Sequence, residues 1–193
     1  VEVDEPYAYS NGRPVSNWYG EKYKGICTLR YGIEQSLNII AVKTLTRITP
    51  QLGFEYLKKF GFTTLVDREV LSDGSVASDI TQALALGGIT HGVKNYELNA
   101  AYAAIANGGT YIRPVFYTKI LDHDGNILID NTQPESHQVI KPTTAFLLTS
   151  AMKDVVSKGT GVYCNFAGQA IAGKTGTTSD EKDVWFAGYT PYY

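Results

Sequence analysis

An α+β unit is the fold class this sequence predicts, and three observations carry it. Several stretches show helical apolar spacing closed by glycine, two β-rich pairs flank short polar turns, and no repeat, linker or low-complexity tract divides the 193 residues. A chain of this length, 44% hydrophobic and 19% charged, fills one sizeable core, so residues 1–193 read as one domain.

In chain order, residues 1 to 25 are rich in Tyr, Gly, Pro and Asn without a period, which predicts an irregular segment pinned by aromatic side chains. From Tyr31 the pattern turns helical, with Ile39, Ile40, Lys43, Leu45 and Ile48 forming a mostly apolar stripe. Thr49-Pro50 then reads as N-cap and first helical residue of "QLGFEYLKKF", stopped by Gly61. Residues 62 to 93 are loop-like apart from "ITQALALGG", a short helix with a glycine stop. "NYELNAAYAAIANGG" is an alanine-rich helix closed by Gly108-Gly109.

"PVFYTKILDHDGNILID" places Asp124-Gly125 between two β-rich runs, a hairpin signal. Asp122, Asp124 and Asn126 resemble a calcium loop, but Gly125 comes two places early and Gln133 stands where the bidentate glutamate belongs. The turn reading wins. "PTTAFLLTSAMKDVVSKG" is a helix from Pro142 to Gly159, and "QAIAGKTGTT" with "DVWFAGYTPYY" forms a second hairpin around "SDEK".

The bulk numbers exclude several functions. A net charge of -2 gives no electrostatic footprint for nucleic acid. No apolar run approaches the roughly 18 residues needed to span a bilayer. His91, His123 and His137 never stand at metal-pair spacing, so no metal site is expected. Cys27 and Cys164 are read as small buried hydrophobes rather than a scaffold. The absence of an initiator Met and of a signal-like start reads as a processed or excised piece.

One stretch, "GQAIAGKTGTT", fits two unrelated motifs. Gly168 through Thr175 matches the phosphate loop G-x-x-x-x-G-K-[ST], and Lys174-Thr175-Gly176 matches the K-T-G box of penicillin-binding proteins and serine β-lactamases. A phosphate loop needs a glycine-rich turn and a helix whose N-terminus meets the phosphate. Here the turn would be "QAIA", and "GTT" is a poor helix start. A strand suits the letters better. Alternation sets Thr175 and Thr177 on one face, and Gly176 lets a peptide backbone approach as an added strand. Two hydroxyls and an ammonium then suit a terminal carboxylate.

Upstream, "GICTLRYGIEQSLNIIAVKTL" holds Ser36-Leu37-Asn38 before an apolar helix. Together with "ANGGTYIRPVFYTKILDHDGNIL", "LLTSAMKDVVSKGTG" and "AGKTGTTSDEKDVWFAGYTP", this closely resembles the transpeptidase domain of class A penicillin-binding proteins, from about Pro6 to the last residue. The resemblance implies the serine β-lactamase/penicillin-binding transpeptidase fold, helices packed on an antiparallel sheet, incomplete in this chain. It implies a proton-relaying role for Ser36, a bond from Asn38 to the substrate's peptide amide, and an ammonium of Lys174 against Ser36. Thr175 and Thr177 become donors to the substrate carboxylate, with Gly176 between them. The Thr177 N–H becomes half of the oxyanion hole. The chemistry implied is peptidoglycan D,D-transpeptidation through a serine acyl-enzyme, without metal or cofactor, with peptidoglycan stem peptides as substrates and β-lactam antibiotics as donor mimics. The place implied is extracytoplasmic, in a full-length protein anchored to the membrane. D,D-carboxypeptidases and β-lactamases share the motifs but pass the acyl group to water; a non-catalytic sensor that keeps the fold is the other alternative, against which the intact Ser36, Asn38 and Lys174 argue.

The family also needs S-x-x-K, a serine nucleophile with a lysine one helical turn later, N-terminal to S-x-N. Nothing in residues 1 to 35 fits. Ser150 to Lys153 stands too late, and Ser179 to Lys182 lies in an acidic turn, so both are decoys. The expectation is a partial transpeptidase domain whose nucleophile comes from an N-terminal companion fragment carrying S-x-x-K. Without that central helix, Ile39, Leu45 and Phe146 are expected to line a void. The chain's end inside a β-like run, "DVWFAGYTPYY", further suggests that a last strand and a C-terminal helix are absent.

Overall fold

The computed structural model describes residues 1–20, 22–178 and 182–192. Short strands frame the N-terminal stretch. β1 (Glu2–Asp4) pairs with β4 (Gly25–Cys27), and between them β2 (Tyr7–Ala8) pairs with β3 (Pro14–Val15), both antiparallel. What fixes this irregular segment is a buried carboxylate. Asp4 accepts from Asn17 Nδ2 at 2.9 Å, from the Tyr19 hydroxyl at 3.2 Å and from the Lys24 N–H at 2.9 Å. Such satisfied buried networks order a chain that lacks a hydrophobic period.

The helical pattern after Tyr31 is broken in two. α1 (Leu29–Glu34) starts at Thr28, whose hydroxyl caps the Tyr31 N–H, and α2 (Asn38–Ile48) follows after the turn at Gln35 to Leu37. α2 buries Ile39, Ile40, Val42 and Leu45, while Lys43 lays its stem inward and reaches the Val3 carbonyl and Glu5 with its ammonium. α3 (Pro50–Lys59) has the expected start, with the Thr49 hydroxyl accepting from the Leu52 N–H and Pro50 in the first turn. Gly61, at φ 90°, ends it where a Cβ would strike the Tyr111 ring.

Residues 62 to 93 hold only the small pair β5 (Glu69–Val70) and β6 (Val76–Ala77), and a 3₁₀ turn at Gln82–Leu86 closed by left-handed Gly87. Then come α4 (Asn95–Ala106), β7 (Thr110–Ile112), and the hairpin β8 (Lys119–Leu121) with β9 (Ile127–Asp130). At the tip of that hairpin the Asp122 carboxylate accepts from the N–H groups of Asp124 and Asn126, so these residues make a turn. β10 (Ser136–Gln138) returns to pair with β7, and α5 (Pro142–Lys158) runs to Gly159. A 3₁₀ turn at Val162–Cys164 leads to β11 (Ala172–Thr177) and β12 (Val184–Tyr189), paired in register from Ala172–Tyr189 to Thr177–Val184.

The fold class is therefore α+β, with helices on antiparallel strands. Among the described residues the strands form separate two-stranded ladders, and β11–β12 is the long one. α5 lies against β11 and α1, and α4 lies against β12, β7 and α5. Cys27 is buried and Cys164 half-buried, both as free thiols.

The expected void is a correction. Ile39 is wholly enclosed by Val15 and Val42, and Leu45 packs with Phe54 and Leu84. Val15 comes from residues 1–20 and Leu84 from the 82–86 turn, while Val42 lies on α2 itself and Phe54 on α3. Phe146 alone of the three is open, 72% exposed on α5.

Candidate active site

The Ser36 turn is held from three sides. Ser36 sits at φ 53°, in the left-handed region that costs a non-glycine residue about 1–2 kcal/mol. It stays there because its neighbours are pinned. The Trp18 indole donates to the Gln35 carbonyl at 2.9 Å, and the Leu37 N–H donates to the Gly32 carbonyl at 2.9 Å. Leu37 is buried against Cys27 and Ile40. Asn17, fixed by Asp4, accepts from the Ile39 N–H through its Oδ1. Asn38 opens α2, and its Nδ2 donates to the Ser16 carbonyl at 2.9 Å, which fixes the orientation of the amide.

Lys174 lies mid-strand in β11, half-buried. Its Nζ donates to Ser36 Oγ at 2.7 Å and to the Thr175 carbonyl at 2.9 Å, so residues 138 positions apart meet. Burial away from water pushes the ammonium's pKa down to about 8. Among the described residues no carboxylate lies within ion-pair distance of it. A poorly solvated cation bonded to a serine hydroxyl can shuttle a proton and concentrate positive potential on an incoming anion.

The rest of β11 differs residue by residue. Gly173 packs where a Cβ would strike the Phe186 ring, while nothing lies within 4 Å of a Cβ built on Gly176. That open side is room for another backbone. Thr177 is exposed, and Thr175 is half-buried with its hydroxyl 2.7 Å from that of Thr160. Asn38 and Thr177 both line a groove of about 1010 Å³ that runs between the 9–16 segment and the 81–88 turn. Lys174 is thus bonded to both Ser36 and Thr175, with Asn38 and Thr177 bordering a groove.

Competing motifs separate from this cluster. Gly168 to Thr175 passes from an irregular stretch into a strand, with no helix after it among the described residues, so it is no phosphate loop. The Ser150 hydroxyl accepts from the Arg30 guanidinium at 2.9 Å, in the link between α1 and α5. The Ser179 to Lys182 match falls on residues 179–181, outside the described residues. Sequence reasoning missed Asp4, Asn17, Trp18 and Thr160. The first three sit in a stretch without a period, and Thr160 follows Gly159, a helix-stop signal that carries no sign of a contact with β11.

Comparison with known proteins gives one answer. The family model of the penicillin binding protein transpeptidase domain matches residues 2–193. Penicillin-binding protein 1A of Clostridium acetobutylicum is 36% identical over all of this chain, and penicillin-binding protein 1A/1B of Bacillus subtilis is 32% identical over 98% of it. The chain spans 22% and 21% of those relatives' lengths. Among solved structures, the PonA1 protein of Mycobacterium tuberculosis in complex with penicillin V matches with a TM-score of 0.77 and 27% identity, over 98% of this chain and 51% of that one. Penicillin-binding protein 1A of Haemophilus influenzae matches with a TM-score of 0.76 and 26% identity, over 97% of this chain and 32% of that one. The chain, with its lysine-bound serine beside a K-T-G strand, belongs to the penicillin-binding protein transpeptidase domain family, on its class A branch.

Proposed function

We propose that residues 1–193 are one part of a D,D-transpeptidase domain that cross-links peptidoglycan stem peptides and is acylated by β-lactams. The observation that carries this reading is the 2.7 Å bond from Lys174 Nζ to Ser36 Oγ at the edge of an open strand. A serine of an S-x-x-K segment outside this chain attacks the carbonyl of the penultimate D-alanine, and the peptide C–N bond breaks to leave an ester. Ser36 passes a proton to the departing amine of the terminal D-alanine, with Lys174 holding its hydroxyl. The carboxylate of that D-alanine lies against Thr175 and Thr177, and the Thr177 N–H donates to the oxyanion that forms. An amine of a second stem peptide then attacks the ester, and the serine is released.

A β-lactam carries the same carboxylate beside a strained amide, so its ring opens onto the same serine. Asn38, its Nδ2 committed to Ser16, offers its carbonyl oxygen to a ligand N–H. The companion segment bearing S-x-x-K is the partner this reading requires. No helix among the described residues is long and apolar enough to cross a membrane. Membrane anchoring and an extracytoplasmic place are part of the reading for the full-length protein. The test is to treat the full-length protein with penicillin and map the adduct by peptide mass spectrometry. The adduct is expected on a serine outside residues 1–193. A penicilloyl group on Ser36 or Ser150, or no adduct, overturns the assignment.

A further inference from the structure

Thr160 stands between two glycines at the end of α5, and it touches both halves of the site. Its N–H donates to the Glu34 carbonyl at 3.2 Å, at the end of α1 two residues before Ser36. Its hydroxyl lies 2.7 Å from Thr175 Oγ1, next to Lys174. The segment around it has little freedom. The N–H groups of Gly159 and Gly161 both donate to the Val155 carbonyl, at 3.1 and 2.9 Å. A Cβ on Gly159 would overlap the Glu34 carbonyl oxygen, and Gly161 is buried against Val155 and near the Phe186 ring. Close backbone approach explains both glycines, and it leaves Thr160 as the residue that bridges α1 to β11.

The direction of the hydroxyl bond follows from counting hydrogens. A threonine hydroxyl has one hydrogen to donate and two lone pairs. If Thr175 donated to Thr160, it would present only lone pairs to a substrate carboxylate, which repels them. If Thr160 donates, the Thr175 hydrogen is released toward the carboxylate and is polarised by the bond it receives. Resting on the transpeptidase reading above, we infer that Thr160 is a positioning residue: its hydroxyl donates to Thr175 and turns that hydroxyl into a carboxylate donor. Its N–H meanwhile holds the Ser36 turn at a fixed distance from Lys174.

The test compares penicillin G with its methyl ester, in the full-length protein, for the unmutated enzyme, Thr160→Val and Thr160→Ser. Thr160→Val keeps the shape and loses the donor. It is expected to slow acylation by the free acid by about three- to tenfold, the worth of one neutral hydrogen bond, while the ester changes by less than about twofold. Thr160→Ser, which keeps the hydroxyl, is expected to restore the acid-to-ester ratio to within about twofold. If Thr160→Val does not fold, Thr160→Ala carries the same comparison. An unchanged acid-to-ester ratio in the variant lacking the hydroxyl overturns the inference, including the case in which both substrates slow equally. Failure of the unmutated protein to react with penicillin at all would instead count against the transpeptidase reading beneath it.

Discussion

At the scale of single residues, the site turns on one ammonium that burial has made easier to deprotonate. Lys174 ordinarily titrates at 10.5 and here at about 8. Between those values the unfolded chain holds a proton that the folded chain has lost, so stability rises with pH across that window. Acylation is expected to move the other way, because the ammonium loses its charge as pH rises through about 8. The second-order rate of penicillin acylation, which reports the free enzyme, is expected to fall as pH rises through about 8. Lys174→Ala is expected to lower that rate by roughly ten- to a hundredfold and to abolish this limb of the profile, since one charge-assisted bond is lost. An unchanged limb in the variant assigns the titration to another group. The letters of Ser36, Asn38 and Lys174 were legible because their motifs have fixed spacing. Asn17 and Trp18 were not, since a polar or aromatic residue in an aperiodic stretch gives no sign of which distant turn it will pin.

At the scale of elements, punctuation decided what could be read. α3, α4, α5 and the β8–β9 hairpin follow from Thr-Pro, Gly-Gly, Pro…Gly and Asp-Gly signals, each a local physical instruction. The apolar helix after Ser36-Leu37-Asn38 was legible, but the left-handed turn at Ser36 was not, because it is held by bonds from residues 17 and 18. Two glycines separate local from tertiary causes. Gly159→Ala puts a methyl group into the Glu34 carbonyl and is expected to destabilise the domain by on the order of 1–3 kcal/mol, read as a lower thermal midpoint. Gly168 has open space around it and a φ of 84°, so its replacement by Ala strains only the local backbone, by about 1–2 kcal/mol. Acylation by Gly168→Ala is expected to remain within a few-fold of normal. A large loss would give the 168–171 loop a role beyond leading into β11.

At the scale of the whole molecule, the apolar surface is unevenly shared. The clusters around α2 are closed, yet Phe146 and Leu147 on α5 are 72% and 62% exposed, and Val184 and Trp185 on β12 are 70% and 50% exposed. These exposed apolar side chains on α5 and β12 are surface available to another segment. The chain is about half the length of the PonA1 chain it matches. The 193-residue chain alone is therefore expected to bind a hydrophobic dye and to melt without a sharp transition, and co-expression with a segment carrying S-x-x-K is expected to restore cooperativity. A sharp, dye-silent transition of the isolated chain contradicts this. The α+β class was legible from alternating punctuation and period. The enclosure of Ile39 and Leu45 was not, because Val15 and Leu84, which help to cover them, sit in residues 1–20 and 82–86, which carry no pattern that names their partner.

The central claim is that Ser36, held by Lys174, relays a proton in acyl transfer. The most direct test is the acylation rate of full-length Ser36→Ala by penicillin, beside its thermal midpoint. Removal of a small, half-buried hydroxyl is expected to leave the midpoint nearly unchanged. The acylation rate is expected to fall by ~10²–10⁴-fold, the range for general acid–base relays. A folded Ser36→Ala protein that acylates at the normal rate would contradict the claim and remove Ser36 from the mechanism.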